Sequence, residues 1–267
     1  NGTLLDQSWC SFFARNGFAV GISLDGPREF HDQYRVTKNQ KPTFDQVMHG
    51  YTLLKQHNIN CDVLCVVNSY NVQYPIEIYQ FFKQIGAKYI TFLPLVQLDT
   101  KGEVSQNTVS PSAWGDFLCM IFDEWIEHDI GSIRIQIFEE SARIALGQEH
   151  ALCIFKEICG NVPVVEHNGD FFSCDHFVDP QHYLGNIKET PLIELLESSA
   201  QKAFGQAKLD TLPKYCLSCE IRYLCNGECP KNRFIKSPDG ERGLNYLCEG
   251  YKQFFKHCKP FIDAIAD

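Results

Sequence analysis

At 267 residues and 44% hydrophobic, the chain can bury a sizeable core as one large domain or two smaller ones. A formal net charge of −9 argues against a nucleic-acid groove, which needs clustered Lys and Arg. No apolar run approaches the ~20 residues of a membrane span and no signal peptide is visible, so no membrane partner and a cytoplasmic location are expected.

In chain order, Phe18–Asp25 reads as a buried strand stopped by Gly26-Pro27. Thr43–His57 follows as a helix, with Phe44, Val47, Tyr51 and Leu54 at helical spacing and Thr43 as its N-cap. Cys61–Val67 is a second strand, Tyr74–Ile85 a second helix ended by Gly86, and Tyr89–Val96 a third strand. Strands alternating with helices predict parallel βαβ units, whose chemistry sits in loops at the C-terminal strand ends. Ser23-Leu24-Asp25-Gly26, Asn68-Ser69 and Leu95-Val96-Gln97 occupy those ends. Beyond the first, Arg35 follows His31-Asp32; it either grips a carboxylate in a fork or pairs with Asp32 on the surface. Three strands cannot close a barrel, so a barrel-like fold would be represented by its second half, with an open sheet edge.

Leu98–Ser110 reads as a loop and Pro111–Asp129 as an amphipathic helix whose Asp123, Glu124 and Glu127 are surface charges. Ile133–Phe138 is expected as a strand and Glu139–Leu146 as a helix ended by Gly147. The division that follows is residues 1–150, a barrel portion with bridging helices, and residues 151–267, a cysteine-rich domain.

Thirteen cysteines in a chain of this kind point to metal more than to disulfides, which belong to small secreted domains. Cys10, Cys61, Cys65 and Cys119 sit singly in apolar segments and read as buried small hydrophobes. Cys153, Cys159 and Cys174 frame a hairpin whose tip, Asn168-Gly169, suits a type I′ turn that carries Cys174 back towards Cys159. Cys216-x2-Cys219, Cys225-x3-Cys229-Pro230 and Cys248 supply five more thiols, one too many for a single four-ligand site. Three and five make two sites of four. The simplest division gives Cys229 to Cys153, Cys159 and Cys174, and leaves Cys216, Cys219, Cys225 and Cys248 together. Cys258, on the C-terminal helix that starts near Glu249, stays out. Spacing alone leaves structural zinc and iron–sulfur clusters both open, and the Cys-Pro ending tilts towards iron–sulfur.

Taken together, Gly21-Ile22-Ser23-Leu24-Asp25-Gly26-Pro27, His31-Asp32, Arg35, Cys153, Cys159, Ser173-Cys174-Asp175-His176 and the last five cysteines resemble the anaerobic sulfatase-maturating enzymes. These are radical S-adenosylmethionine enzymes with a C-terminal SPASM domain. The resemblance implies an α/β fold: the C-terminal half of a partial (β/α)6 barrel followed by a two-cluster SPASM domain. It implies oxidation of a sulfatase cysteine or serine to Cα-formylglycine, with the sulfatase polypeptide as substrate and an electron acceptor as partner. It assigns Asp175 as the residue that takes the target side chain's proton. Ser23, Arg35 and Val96 (or Leu95) match contacts to S-adenosylmethionine, and the two cysteine quartets match two auxiliary 4Fe–4S clusters. The family's Cys-x3-Cys-x2-Cys motif for a third, radical-generating cluster is not in this sequence. The resemblance therefore implies a chain that, as written, does not cleave S-adenosylmethionine and carries its parent's function. Two alternatives stand beside this reading: another SPASM peptide modifier, and a zinc-stapled binding module without catalysis.

Overall fold

The computed structural model describes residues 1–266. The chain forms two compact units, Asn1–Ala142 and Arg143–Asp267, so the division comes a few residues before the one expected after residue 150.

The first unit is built on four parallel strands in sequential order: β1 (Val20–Ser23), β2 (Cys61–Val67), β3 (Tyr89–Pro94) and β4 (Arg134–Ile135). Their register pairs Ile22 with Val63, Val63 with Ile90 and Ile90 with Ile135. In chain order the helices are α1 (Gln7–Arg15), α2 (Arg28–Tyr34), α3 (Phe44–Gln56), α4 (Pro75–Gln84), α5 (Pro111–His128) and α6 (Gln136–Ala145). Each parallel neighbour is reached through at least one helix, as parallel pairing requires. On β2 every second residue is buried: Cys61, Val63, Cys65 and Val67. Each apolar side chain of this kind stabilises by about 1.5–3 kcal/mol when fully buried. Leu53 and Leu54 of α3, Ile78 and Phe82 of α4, and Phe117 and Ile121 of α5 complete that core.

Several local expectations change. Thr43 occupies the N-cap of α3, but its hydroxyl donates to the Arg35 carbonyl; the Asp32 carboxylate caps instead, accepting from Thr43 N and Phe44 N at 2.9 Å each. The strand expected over Ile133–Phe138 is only two residues long, because the chain turns into α6 at Gln136. Helices α1 and α2 were not legible, since the first is ringed with aromatic residues and the second has only two turns. Glu124 is half-buried and bound to Lys83 at 3.2 Å, so one of the three expected surface charges ties α5 to α4. Cys10, Cys61 and Cys65 are buried as expected, whereas Cys119 is partly exposed.

The second unit holds an antiparallel sheet of β5 (Val164–Val165), β6 (Asp170–Phe172) and β7 (Tyr183–Asn186). It continues through α7 (Leu192–Leu196), α8 (Ser199–Asp210), α9 (Lys214–Leu217) and α10 (Arg222–Cys225). The pair β8 (Ile235–Lys236) and β9 (Arg242–Leu244) precedes α11 (Cys248–His257) and α12 (Lys259–Ala266). The predicted hairpin forms, but not with a type I′ tip. Gly169 N donates to Glu166 O, and of Asn168 and Gly169 only the glycine has positive φ, +97°. That is a three-residue loop with a left-handed glycine at its end. No helix among the described residues is long and apolar enough to cross a membrane.

Asp62 gives the first unit a pH signature. One of its oxygens accepts from Thr91 Oγ1 at 2.9 Å, while Oδ1 is buried with no hydrogen-bond partner among the described residues. Burial raises its pKa, and the Thr91 bond only partly offsets this. A carboxyl whose folded pKa exceeds its unfolded value adds stability below the unfolded pKa and loses it as pH rises through the folded one. Asp62→Asn is therefore expected to raise the melting temperature at pH 7, with the gain shrinking as pH falls towards 4, about the ordinary carboxylate pKa. Thermal melts across that range check it; a gain that grows on acidification contradicts it.

Candidate functional site: two thiol quartets and a strand-end recess

All eight expected cysteines lie in the second unit, and four of them share a cavity. Cys216, Cys219, Cys225 and Cys248 line one cavity with an empty volume of about 360 Å³, including its mouth. Three short elements deliver them: Cys216 lies on α9, Cys225 ends α10 and Cys248 begins α11. Of the other four, Cys229 Sγ lies 3.4 Å from Nδ1 of His176, two residues beyond Cys174, while Gly205 and Lys208 of α8 bond the backbone at Cys159 and Cys153. No disulfide joins any of the thirteen cysteines, all of which lie among the described residues.

One face of α8 holds the backbone of the upstream group. Gln201, Gly205 and Lys208 are spaced four and three residues apart and so share that face. Gln201 Nε2 donates to the carbonyls of Gly160 at 2.7 Å and Ser173 at 3.1 Å. Gly205 O accepts from Cys159 N at 3.1 Å. Lys208, only 1% exposed, donates from Nζ to the carbonyls of Cys153 at 2.9 Å and Ile154 at 2.7 Å. Thus one helix fixes the chain beside Cys153, Cys159 and Cys174. Burial, together with the Arg233 charge and against the pull of Cys159, lowers the Lys208 pKa to about 8. This helix was missed in the sequence because a face of Gln, Gly and Lys carries no apolar period.

The chemistry of the donor set fits a metal centre. Burial is the largest cause raising three of these thiols: Cys174 to about 11, where Asp175 adds to it, Cys229 to about 12 and Cys248 to about 11. Four thiolates in one place are thus disfavoured until a cationic core neutralises them, and all-sulfur sets select zinc or iron–sulfur cores.

Asp175 is exposed and lies next to the upstream group, its Oδ1 accepting from Cys174 Sγ at 3.3 Å. His176 Nδ1 is 3.4 Å from Cys229 Sγ, and burial lowers its pKa. Cys174, Asp175 and His176 offer ligand atoms that all lie within 4.8 Å of one another.

In the first unit, Ser23 and Arg35 line one recess of about 710 Å³ including its mouth, with Asn1, Thr3, Tyr34 and Gln46. Val96, buried just beyond β3, does not line it. Arg35 is not paired with Asp32. It forks onto the buried Asp25, Nε to Oδ2 at 2.6 Å and Nη2 to Oδ1 at 3.0 Å, while Asp25 Oδ1 also accepts from Val66 N. Asp25 wins because it sits at the strand end, buried, whereas Asp32 is committed to the α3 cap. A short relay braces this loop. Thr43 gives its only hydroxyl proton to the Arg35 carbonyl, so it accepts from His31 Nε2 at 3.1 Å. His31 Nδ1 is then left to accept from Asp25 N at 3.4 Å.

The α8 face generates a stability prediction. Alanine favours a helix interior over glycine by ~1 kcal/mol, yet a Cβ on Gly205 would fall inside contact distance of the Cys159 carbonyl, which is backbone and cannot swing away. Gly205→Ala is therefore expected to lower the melting temperature; a melt showing an increase would mean that helix propensity dominates here.

Comparison with known proteins follows this geometry. The SPASM family, an iron–sulfur cluster-binding domain, matches residues 157–220. A serine-type anaerobic sulfatase-maturating enzyme of Bacteroides thetaiotaomicron is 45% identical over 99% of this chain and 68% of its own length. A cysteine-type anaerobic sulfatase-maturating enzyme of Clostridium novyi is 31% identical over 96% of this chain and 69% of its own. The solved structure of native anSMEcpe with bound AdoMet and Kp18Cys peptide superposes with a TM-score of 0.88 at 31% identity, covering 100% of this chain and 74% of that one. The chain belongs to the anaerobic sulfatase-maturating enzymes, radical S-adenosylmethionine oxidoreductases with an iron–sulfur SPASM domain.

Proposed function

We propose that Cys153, Cys159, Cys174 and Cys229 hold one auxiliary 4Fe–4S cluster and that Cys216, Cys219, Cys225 and Cys248 hold the other, in an enzyme that oxidises a sulfatase cysteine or serine to Cα-formylglycine. The observation that carries this is the second quartet lining a single cavity. Four thiolates leave no iron open to substrate, so such clusters suit electron transfer. The electron acceptor, the sulfatase polypeptide and a cytoplasmic setting belong to the same proposal.

When bound, S-adenosylmethionine and the clusters supply hydrogen-atom abstraction and an electron sink. The protein's own task is the proton. Turning a CH2–OH or CH2–SH group into C=O or C=S removes one hydrogen atom, one electron and one proton, and for cysteine water then replaces the sulfur, giving the aldehyde and releasing hydrogen sulfide. Asp175 is the residue we assign to that proton. Its Oδ1 now accepts from the Cys174 thiol; a cluster-bound Cys174 has lost its hydrogen, which frees the carboxylate to accept another. His176, beside Cys229, orients the same turn. Ser23 and Arg35 line the recess that takes S-adenosylmethionine, with Asp25 locking the guanidinium so that Nη1 and one face remain for the ligand. Val96, which does not line that recess, contributes by backing the third strand's end.

Two measurements test the reading. Anaerobically purified protein is expected to carry about eight auxiliary irons with matching sulfide, two clusters of four; two zincs and no visible absorption would overturn it. Asp175→Asn in the intact enzyme, given a sulfatase-motif peptide, is expected to lose formylglycine formation by about 10²–10⁴-fold with iron content unchanged. Formation at the normal rate would place the base elsewhere.

A further inference from the structure

Cys225 and Cys229 lie in different quartets, yet only three residues separate them, and all three are left-handed. Asn226, Gly227 and Glu228 have φ of +45°, +70° and +51°. Left-handed non-glycine residues such as Asn226 and Glu228 persist only where the surroundings hold them, so this run needs an external clamp. Arg233 is that clamp. Its Nε donates to the Gly227 carbonyl at 2.8 Å, and Nη2 donates to those of Asn226 at 2.8 Å and Glu228 at 3.1 Å. Nη1 donates to Lys208 O at 2.5 Å, joining the link to the last turn of α8. Asn226 Nδ2 adds a bond to Phe155 O at 2.8 Å, between Cys153 and Cys159. Arg233 thus bonds the residue after Cys225 and the residue before Cys229, which sets its charge inside the link between the two cysteines.

Resting on the quartet assignment above, we propose that Arg233 is a positioning residue shared by both clusters. Its guanidinium gathers three consecutive carbonyls so that one short link hands a thiol to each quartet, and it places a permanent positive charge facing both. Lysine cannot reproduce the fork, because its ammonium is a point charge, and the fork is what the three carbonyls require. The proposal concerns how the clusters are held and tuned; Arg233 takes no part in the chemistry.

The test uses the intact, reconstituted enzyme and compares wild type with Arg233→Lys and Arg233→Gln. Iron release to a chelator and the midpoint potentials of both auxiliary clusters by paramagnetic resonance are the readouts, with circular dichroism checking the fold. Both variants are expected to release iron from both clusters about ten- to a hundredfold faster, the usual cost of losing a supporting group around a metal centre. Arg233→Gln is expected to shift both potentials negative, because reduction adds negative charge that the guanidinium stabilises, while Arg233→Lys leaves them near wild type. Wild-type release rates in a folded Arg233→Lys, accelerated release from one cluster alone, or equal potentials in all three proteins would overturn the proposal. If Arg233→Gln does not fold, Arg233→Lys, which keeps the charge and the buried stem, still decides. A wild type that holds fewer than two auxiliary clusters instead refutes the quartet assignment, so the two failures are distinct.

Discussion

Sulfur atoms brought together in fours repel one another as thiolates, and the quartets proposed for the second unit place that constraint on its chain. Burial pushes the thiols up, so nothing in the sulfur atoms themselves favours the gathering. The chain must be held from outside, through backbone that does not touch sulfur. Gln201, Gly205 and Lys208 do this for the upstream group, and Arg233 does it for the link between groups. Gln201, Lys208 and Arg233 donate to carbonyls, and the Gly205 carbonyl accepts from an amide, that a loop would otherwise give to water. A buried ammonium such as Lys208 is tolerated because two carbonyls and nearby sulfur and carboxylate charges receive it.

The first unit solves a different problem with commoner means. Its sheet is parallel, its helix-facing residues are apolar, and its polar groups concentrate where strands end. Asp25 shows the economy of that arrangement, because one buried carboxylate satisfies Val66 N and both nitrogens of the Arg35 fork. A guanidinium locked this way loses little further freedom when a ligand arrives, which lowers the ordering cost of binding. The His31–Thr43 relay extends the same bracing to the loop behind it.

Much of this was legible beforehand. The strand Cys61–Val67 lies where its alternating pattern puts it, and the α4 and α5 helices begin at prolines within a residue of expectation. The hairpin between Cys159 and Cys174 was readable, although its loop is one residue longer than the Asn-Gly signal suggested. What escaped notice were elements with no periodic signal. Helix α8 turns Gln and Lys inwards, and the strand β7 pairs at an irregular register beside β6. For Arg35 the sequence left a carboxylate fork and a surface pair with Asp32 both open, and the fork forms, onto Asp25.

The sequence by itself determined how many thiols there are, which local knuckles they form and which strand ends carry polar groups. These are matters of spacing, and a spacing of two or three residues brackets the distance between side chains whatever the rest of the chain does. Only the tertiary structure decided that α8 braces Cys153, Cys159 and Cys174, that Arg233 folds the Asn226–Glu228 link, and that Arg35 answers to Asp25. In each of these a donor meets a carbonyl or carboxylate across a gap in sequence, and its choice among equivalent acceptors depends on which of them the packing has removed from water.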